Sequence, residues 1–156
     1  MCQCPAIQKD PTVIKFGTPG ARRDLFTSHG RVTIVGSQLD VAGSPVSWLL
    51  SNARGAIFRA EVPAGALLAN QKATTFTYSN PSARTTGGIT KAVIHITHHG
   101  TSYGYKVQAY GDLSAATDAN MSLQFYIAAQ PTPAIHTESW QRTGYGWKAH
   151  GFTGAR

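Results

Sequence analysis

Met121-Ser122-Leu123-Gln124-Phe125-Tyr126-Ile127 is the cleanest alternation in the chain. Successive side chains of a strand point to opposite faces. Met121, Leu123, Phe125 and Ile127 therefore make one apolar face, with Ser122, Gln124 and Tyr126 on the other. A helix, with 3.6 residues per turn, would scatter the same residues around its circumference. The stretch predicts a half-buried strand.

The same period recurs upstream. In Ile89 to His98, Ala92, Ile94 and Ile96 face one way and Lys91, Val93, His95 and Thr97 the other. Gly100 to Gly104 closes a hairpin, and the chain returns with Tyr105, Val107 and Ala109 inward. Val46, Trp48 and Leu50 share a face, as do Val32 and Ile34. Ala56 to Val62 is a returning strand with Ile57 or Phe58 inward, according to register. Shorter strands are expected at Thr12 to Phe16, Thr74 to Tyr78, Thr132 to Trp140 and around Trp147. Thr12 to Phe16 and Thr74 to Tyr78 carry little charge and read as exposed edges. Gly111 to Asn120 reads as a crossover with one helical turn at Leu113 to Ala116.

No stretch of ten residues keeps a helical period. Short strands with turns about every ten residues predict an all-β fold. The uneven loops and the crossover favour an antiparallel β-sandwich over a barrel. It is expected to be immunoglobulin-like or jelly-roll-like, with seven to nine strands. The expected organisation is a tail at 1–16, able to donate a strand to a neighbour, a sandwich at 17–150, and a loose end at 151–156.

Composition narrows the function. With 156 residues, 42 % apolar and 10 % aromatic, the chain can bury one real core. No apolar run approaches the ~18 residues of a membrane helix, so no membrane insertion is expected. No signal peptide is visible. Charged residues are 13 %, about half the usual share of roughly 25 %. Abundant Thr, Ser, Gly and Ala with so little charge suit a secreted or surface module. The net charge of +7 attracts polyanions, although only Arg22 and Arg23 are adjacent in sequence. Both cysteines, Cys2 and Cys4, stand at the start, so no internal disulfide holds the body of the fold.

Four segments carry a resemblance: Thr86 to Ile94, Tyr105 to Ser114, Asn120 to Ile127 and Trp140 to Trp147. Together they resemble uncharacterised β-sandwich repeat modules of large exported or surface proteins of Gram-negative environmental bacteria. The resemblance spans about residues 25–150. It implies an extracellular or cell-surface structural module with no active site to transfer.

Candidate chemistry is sparse. His95 and His99 share a strand face but stand about 13 Å apart at ~3.3 Å per residue, too far for one metal. His98 with His99 at the strand end needs a further ligand from another strand. Asp112, Asp118 and Asn120 offer oxygens for Ca²⁺, but their spacing fits no calcium loop, and such residues commonly satisfy turn backbones. No metal is favoured and no cofactor is expected. The seven carboxylates form no evident glycosidase couple, and neither a Gly-x-Ser-x-Gly elbow nor a phosphate loop occurs. The chain is therefore not expected to be an enzyme. Aromatic and basic residues crowd the C-terminal half, giving a candidate binding face of Tyr103, Tyr105, Lys106, Trp140, Arg142, Tyr145, Trp147 and Lys148.

Two functions follow. The first is a non-catalytic structural or adhesive module acting through protein contacts, including self-assembly into oligomers or filaments. The second is a module binding an acidic glycan or nucleic acid through a basic, aromatic face.

Overall fold

The computed structural model describes residues 7–8, 12–17, 23–34, 39–97, 102–127 and 134–149. In chain order its strands are β1 (Ile7–Gln8), β2 (Thr12–Lys15), β3 (Asp24–Thr33), β4 (Val46–Asn52), β5 (Gly55–Val62), β6 (Leu68–Ala69), β7 (Thr75–Ser79), β8 (Gly88–Thr97), β9 (Ser102–Gly111), β10 (Asn120–Ile127), β11 (Ala134–Ser139), β12 (Gln141–Thr143) and β13 (Gly146–Ala149). One short helix, α1 (Ala83–Thr86), lies between β7 and β8. Eight of the thirteen strands have five residues or more.

The pairings make two antiparallel sheets. The larger has nine strands in the order β12-β13-β2-β3-β9-β8-β7-β6, with β1 also on β3. The smaller has four, in the order β11-β10-β4-β5. The all-β sandwich expected from the alternation is therefore the fold.

The deciding stretch behaves as its period requires. Met121, Leu123, Phe125 and Ile127 on β10 are buried, and the residues between them are half-buried. Phe125 pairs with Trp48 across β10 and β4. Both reach the opposite sheet at Tyr105: the Phe125 and Tyr105 rings stack at 4.7 Å, and Trp48 meets Tyr105 edge-on at 5.7 Å. This aromatic trio joins the layers. It requires Gly30, on the strand beside Tyr105, because a Cβ there would come within 2.7 Å of the Tyr105 ring.

A line of buried hydroxyls runs beside the trio. Thr12 Oγ1 lies 2.9 Å from Ser28 Oγ, which lies 3.1 Å from the Tyr105 hydroxyl. Burial pushes the Tyr105 phenol above its ordinary value, and the Ser28 hydrogen bond only partly offsets this. The sign for stability follows. A phenol raised on folding contributes stability that is fully present below the unfolded value of about 10 and lost as pH rises beyond it. Urea midpoints are expected to hold up to about pH 10 and then fall. In Tyr105→Phe the fall should be shallower, at a cost of ~1 kcal/mol near neutrality for the lost hydrogen bond. An alkaline fall unchanged by the substitution would refute the assignment to Tyr105.

Both tryptophans near the end of the chain hold the crossover. Trp147 Nε1 donates to the Ala116 carbonyl at 2.7 Å, and Trp140 Nε1 to the Met121 carbonyl at 3.3 Å. Leu113 and Ala116 are buried, and the expected helical turn is a single hydrogen-bonded turn from Ala116 N to the Leu113 carbonyl.

Two expectations about edges need correction. The described part of 1–16 pairs within its own chain: Ile7 and Gln8 lie along Val32 and Arg31, and β2 is sandwiched between β3 and β13. With hydrogen-bonded partners on both sides and Ile14 fully buried, β2 is an interior strand and not an edge. On β7, the outer side is paired with β6 at Phe76 and Thr77, and Asn70 just beyond β6 donates its N–H to the Thr75 carbonyl and accepts from Thr74 N and Thr75 N at its Oδ1. Cys2, Cys4 and residues 151–156 lie outside the described residues.

Candidate functional site

Parity along each strand of the large sheet decides which side chains reach solvent. On β3 the even residues Phe26, Ser28 and Val32 are buried, so Leu25, Thr27, His29, Arg31 and Thr33 face out. On β9, Tyr103, Tyr105, Val107 and Ala109 are buried, so Gly104, Lys106, Gln108 and Tyr110 face out. On β8 the register shifts between Ile89 and Lys91. This β-bulge lets Ile89 and Ala92 both point inward and turns Lys91, Val93, His95 and Thr97 outward. Lys15 and Lys148 occupy outward positions on β2 and β13.

Register then sets these residues in rows across the sheet. One row runs Lys148, Val13, Thr27, Gln108, Lys91, Ser79. The next runs His29, Lys106, Val93, Thr77, and the third Arg31, Gly104, His95, Thr75. The face thus carries Lys15, Arg31, Lys91, Lys106 and Lys148, with two histidines and hydroxyl or amide side chains between them. At the end of the face, Arg23 donates from Nε to the Thr85 carbonyl at 2.7 Å, and Arg84 lies 5.9 Å from the centre of the Tyr110 ring.

Among the described residues no carboxylate shares this face. Asp24 has inward parity, and its two oxygens accept from Gly17 N and Leu113 N, each at 2.8 Å. Asp40 accepts from Gly43 N in its own loop. Glu61 belongs to the small sheet, where it pairs with Arg59 at 2.9 Å. Asp112 and Asp118 sit in the crossover. None of the five outer-face cations makes an ion pair among the described residues. The cations of the outer face are thus segregated from the described carboxylates.

The outer face of the small sheet differs. Its rows are Ser122 with Ser51, Gln124 with Leu49, and Tyr126 with Ser47, and its described charges are the paired Arg59 and Glu61. The basic character of the described sandwich is therefore one-sided.

The aromatic face expected from the C-terminal half is not a face. Tyr103, Tyr105, Trp140 and Trp147 are all buried. Strand parity turns the tyrosines into the core, where the Tyr103 hydroxyl accepts from Leu39 N at 2.8 Å. Arg142 lies over Phe16 and Trp147, 5.3 and 5.1 Å from their ring centres, so it covers the core margin. Tyr145 is 80 % exposed at the β12–β13 turn. Of the eight expected binding residues, Lys106 and Lys148 stand on the basic face.

Of the metal candidates, Asp112, Asp118 and Asn120 lie in or beside the crossover. Asp112 accepts from Ser114 N at 2.9 Å, and hydrogen bonds from Ser114 hold its carboxyl below the ordinary value. Asn120 opens β10 opposite Ser139. His98 and His99 lie outside the described residues, among which no three His, Cys, Asp or Glu form a metal-sized group. No described helix is long and apolar enough to cross a membrane. No protein-family model, curated protein or solved structure matches the chain.

Proposed function

We propose that the protein is a non-catalytic module that binds duplex nucleic acid through the outer face of its large sheet. The observation that carries this is the set of five cations on that face that make no ion pair among the described residues, with no described carboxylate among them. Lysine and arginine neutralise phosphates, while Thr, Ser and Gln side chains between them donate hydrogen bonds to phosphate oxygens. Single strands are held by bases stacked on free aromatic rings. Here the outward ring of β9, Tyr110, has Arg84 lying against it. A duplex hides its bases and presents phosphates, which suits a charged, ring-poor sheet.

The test is titration of a mixed-sequence duplex at several salt concentrations. With about four phosphates neutralised, log K is expected to fall with log salt at a slope of about −3.6. Sequence should matter little. Absence of binding at low salt, or affinity indifferent to salt, would remove the proposal. Tighter binding to heparin than to duplex would reassign the face to an acidic glycan.

The reading as a structural module joined through copies of itself retains one observation in its favour. The margin at β6 and β7 is thinly covered and carries Leu68, 71 % exposed. Light scattering across a concentration series tests it, and a strict monomer at the highest concentration would count against it. An extracellular setting belongs to the same proposal.

A further inference from the structure

Gly104 leaves a gap at the centre of the basic face. It stands opposite Arg31 on β3 and opposite His95 on β8, and Lys106 is two residues along its own strand. His29, opposite Lys106, completes the surround. Cross-strand partners have Cα atoms about 4.5–5.5 Å apart, and alternate residues of a strand about 6.6 Å. Four nitrogen-bearing side chains thus rise around a point where the sheet has no side chain. Arg31, His95 and Lys106 are exposed, and Gly104 and His29 are half-buried.

The fold does not demand glycine at this point. Its backbone is outside the left-handed region, and an added Cβ would meet nothing nearer than the His95 carbonyl oxygen at 3.8 Å, an ordinary contact. Gly30, on the adjacent strand, is the opposite case, since the Tyr105 ring excludes any side chain. Glycine in a strand costs stability relative to residues that can pack. A glycine that is neither sterically nor conformationally required, ringed by two cations and two imidazoles, is explained by what the gap admits. His95 is also oriented: its Nδ1 lies 2.8 Å from Thr75 Oγ1, leaving Nε2 for another partner.

We infer that the notch over Gly104, walled by Arg31, His95, Lys106 and His29, seats one tetrahedral oxyanion, a phosphate or sulfate ester of the bound polymer. The inference rests on the proposed function and fixes where that ligand is gripped. Arg31 supplies a planar fork for two oxygens and Lys106 a point charge. The bare strand lets the anion come down between them.

The test fills the notch without changing charge. Gly104→Leu is compared with Ser47→Leu, which adds a similar side chain on the outer face of the small sheet, away from the basic face. Amide spectra titrated with inorganic sulfate, and separately with inorganic phosphate, should shift at Gly104, Arg31, His95 and Lys106 in the parent protein. They should not shift there in Gly104→Leu. Duplex affinity should fall about tenfold, one phosphate contact, in Gly104→Leu and stay within twofold in Ser47→Leu. Heparin run in parallel separates a sulfate from a phosphate source. Duplex binding unchanged in Gly104→Leu would overturn the seat and leave the basic face standing. Absence of duplex binding in the parent would overturn the proposed function, and the sulfate and phosphate titrations would then decide the seat alone. Shifts spread evenly over all exposed lysines would overturn it as well.

Discussion

Replacing Arg31, Lys91 and Lys106 together by glutamate is expected to lower duplex affinity at least ~100-fold at low salt, with the fold unchanged. Each residue lies on the outer face of β3, β8 or β9, and each is exposed. Substitutions at such positions usually shift stability by no more than ~0.5 kcal/mol. Each lost phosphate contact should flatten the salt slope by about one unit, so the triple variant should lose roughly three. Every reversal removes two charges, taking the chain from +7 to +1. A general loss of attraction could mimic a lost site, so the control matters. Arg54 in the β4–β5 turn, Arg59 on the small sheet and Lys72 in the turn before β7 give the same change of charge elsewhere. That second triple variant should lose less than tenfold. Equal losses would mean that net charge alone drives binding, and the face would have no special standing.

The face was half legible in the sequence. Period-2 alternation assigns Lys91 and His95 to the side opposite Ala92, Ile94 and Ile96, and the structure keeps that assignment. Strand order cannot be read the same way. Nothing local says that β3 lies beside β9, or that β13 joins the same sheet through β2. Lys91, Lys106, Arg31 and Lys148 are far apart in sequence and look scattered until those pairings gather them. The aromatic residues mislead for a related reason. Tyr103 and Tyr105 have the inward parity of Val107 and Ala109, so alternation alone buries them, yet their polar tips suggest a surface. Their hydroxyls are satisfied inside, by Leu39 N and by Ser28. Trp140 lies where the chain passes from the small sheet to the large one and Trp147 on β13 just after it, and there the two rings close the core margin. The position of β2 was also hidden, because an interior strand and an edge strand have the same alternation. Its neighbour β13 comes from the far end of the chain.

Trp48→Ala is expected to cost about 3–5 kcal/mol, the largest stability loss of any single substitution considered. The ring is 1 % exposed and touches both sheets through Phe125 at 5.4 Å and Tyr105 at 5.7 Å. Alanine would leave a cavity at the one place where the aromatic trio joins the layers, and packed strands on either side limit how far the site can collapse. Total stabilities of domains are only about 5–15 kcal/mol, so the variant should unfold at much lower urea concentration. Trp48→Phe separates two contributions. The indole Nε1 is buried without a hydrogen-bond partner among the described residues, a state that costs about 1–3 kcal/mol. Phenylalanine removes that donor while keeping a ring against Phe125 and Tyr105. The lost area and the relieved donor should nearly cancel, leaving Trp48→Phe within about 1 kcal/mol of the parent. Urea unfolding of the three proteins gives the ordering directly. If Trp48→Phe proves as costly as Trp48→Ala, the indole nitrogen has a partner in solution and the core is held there by a polar contact as well as by packing.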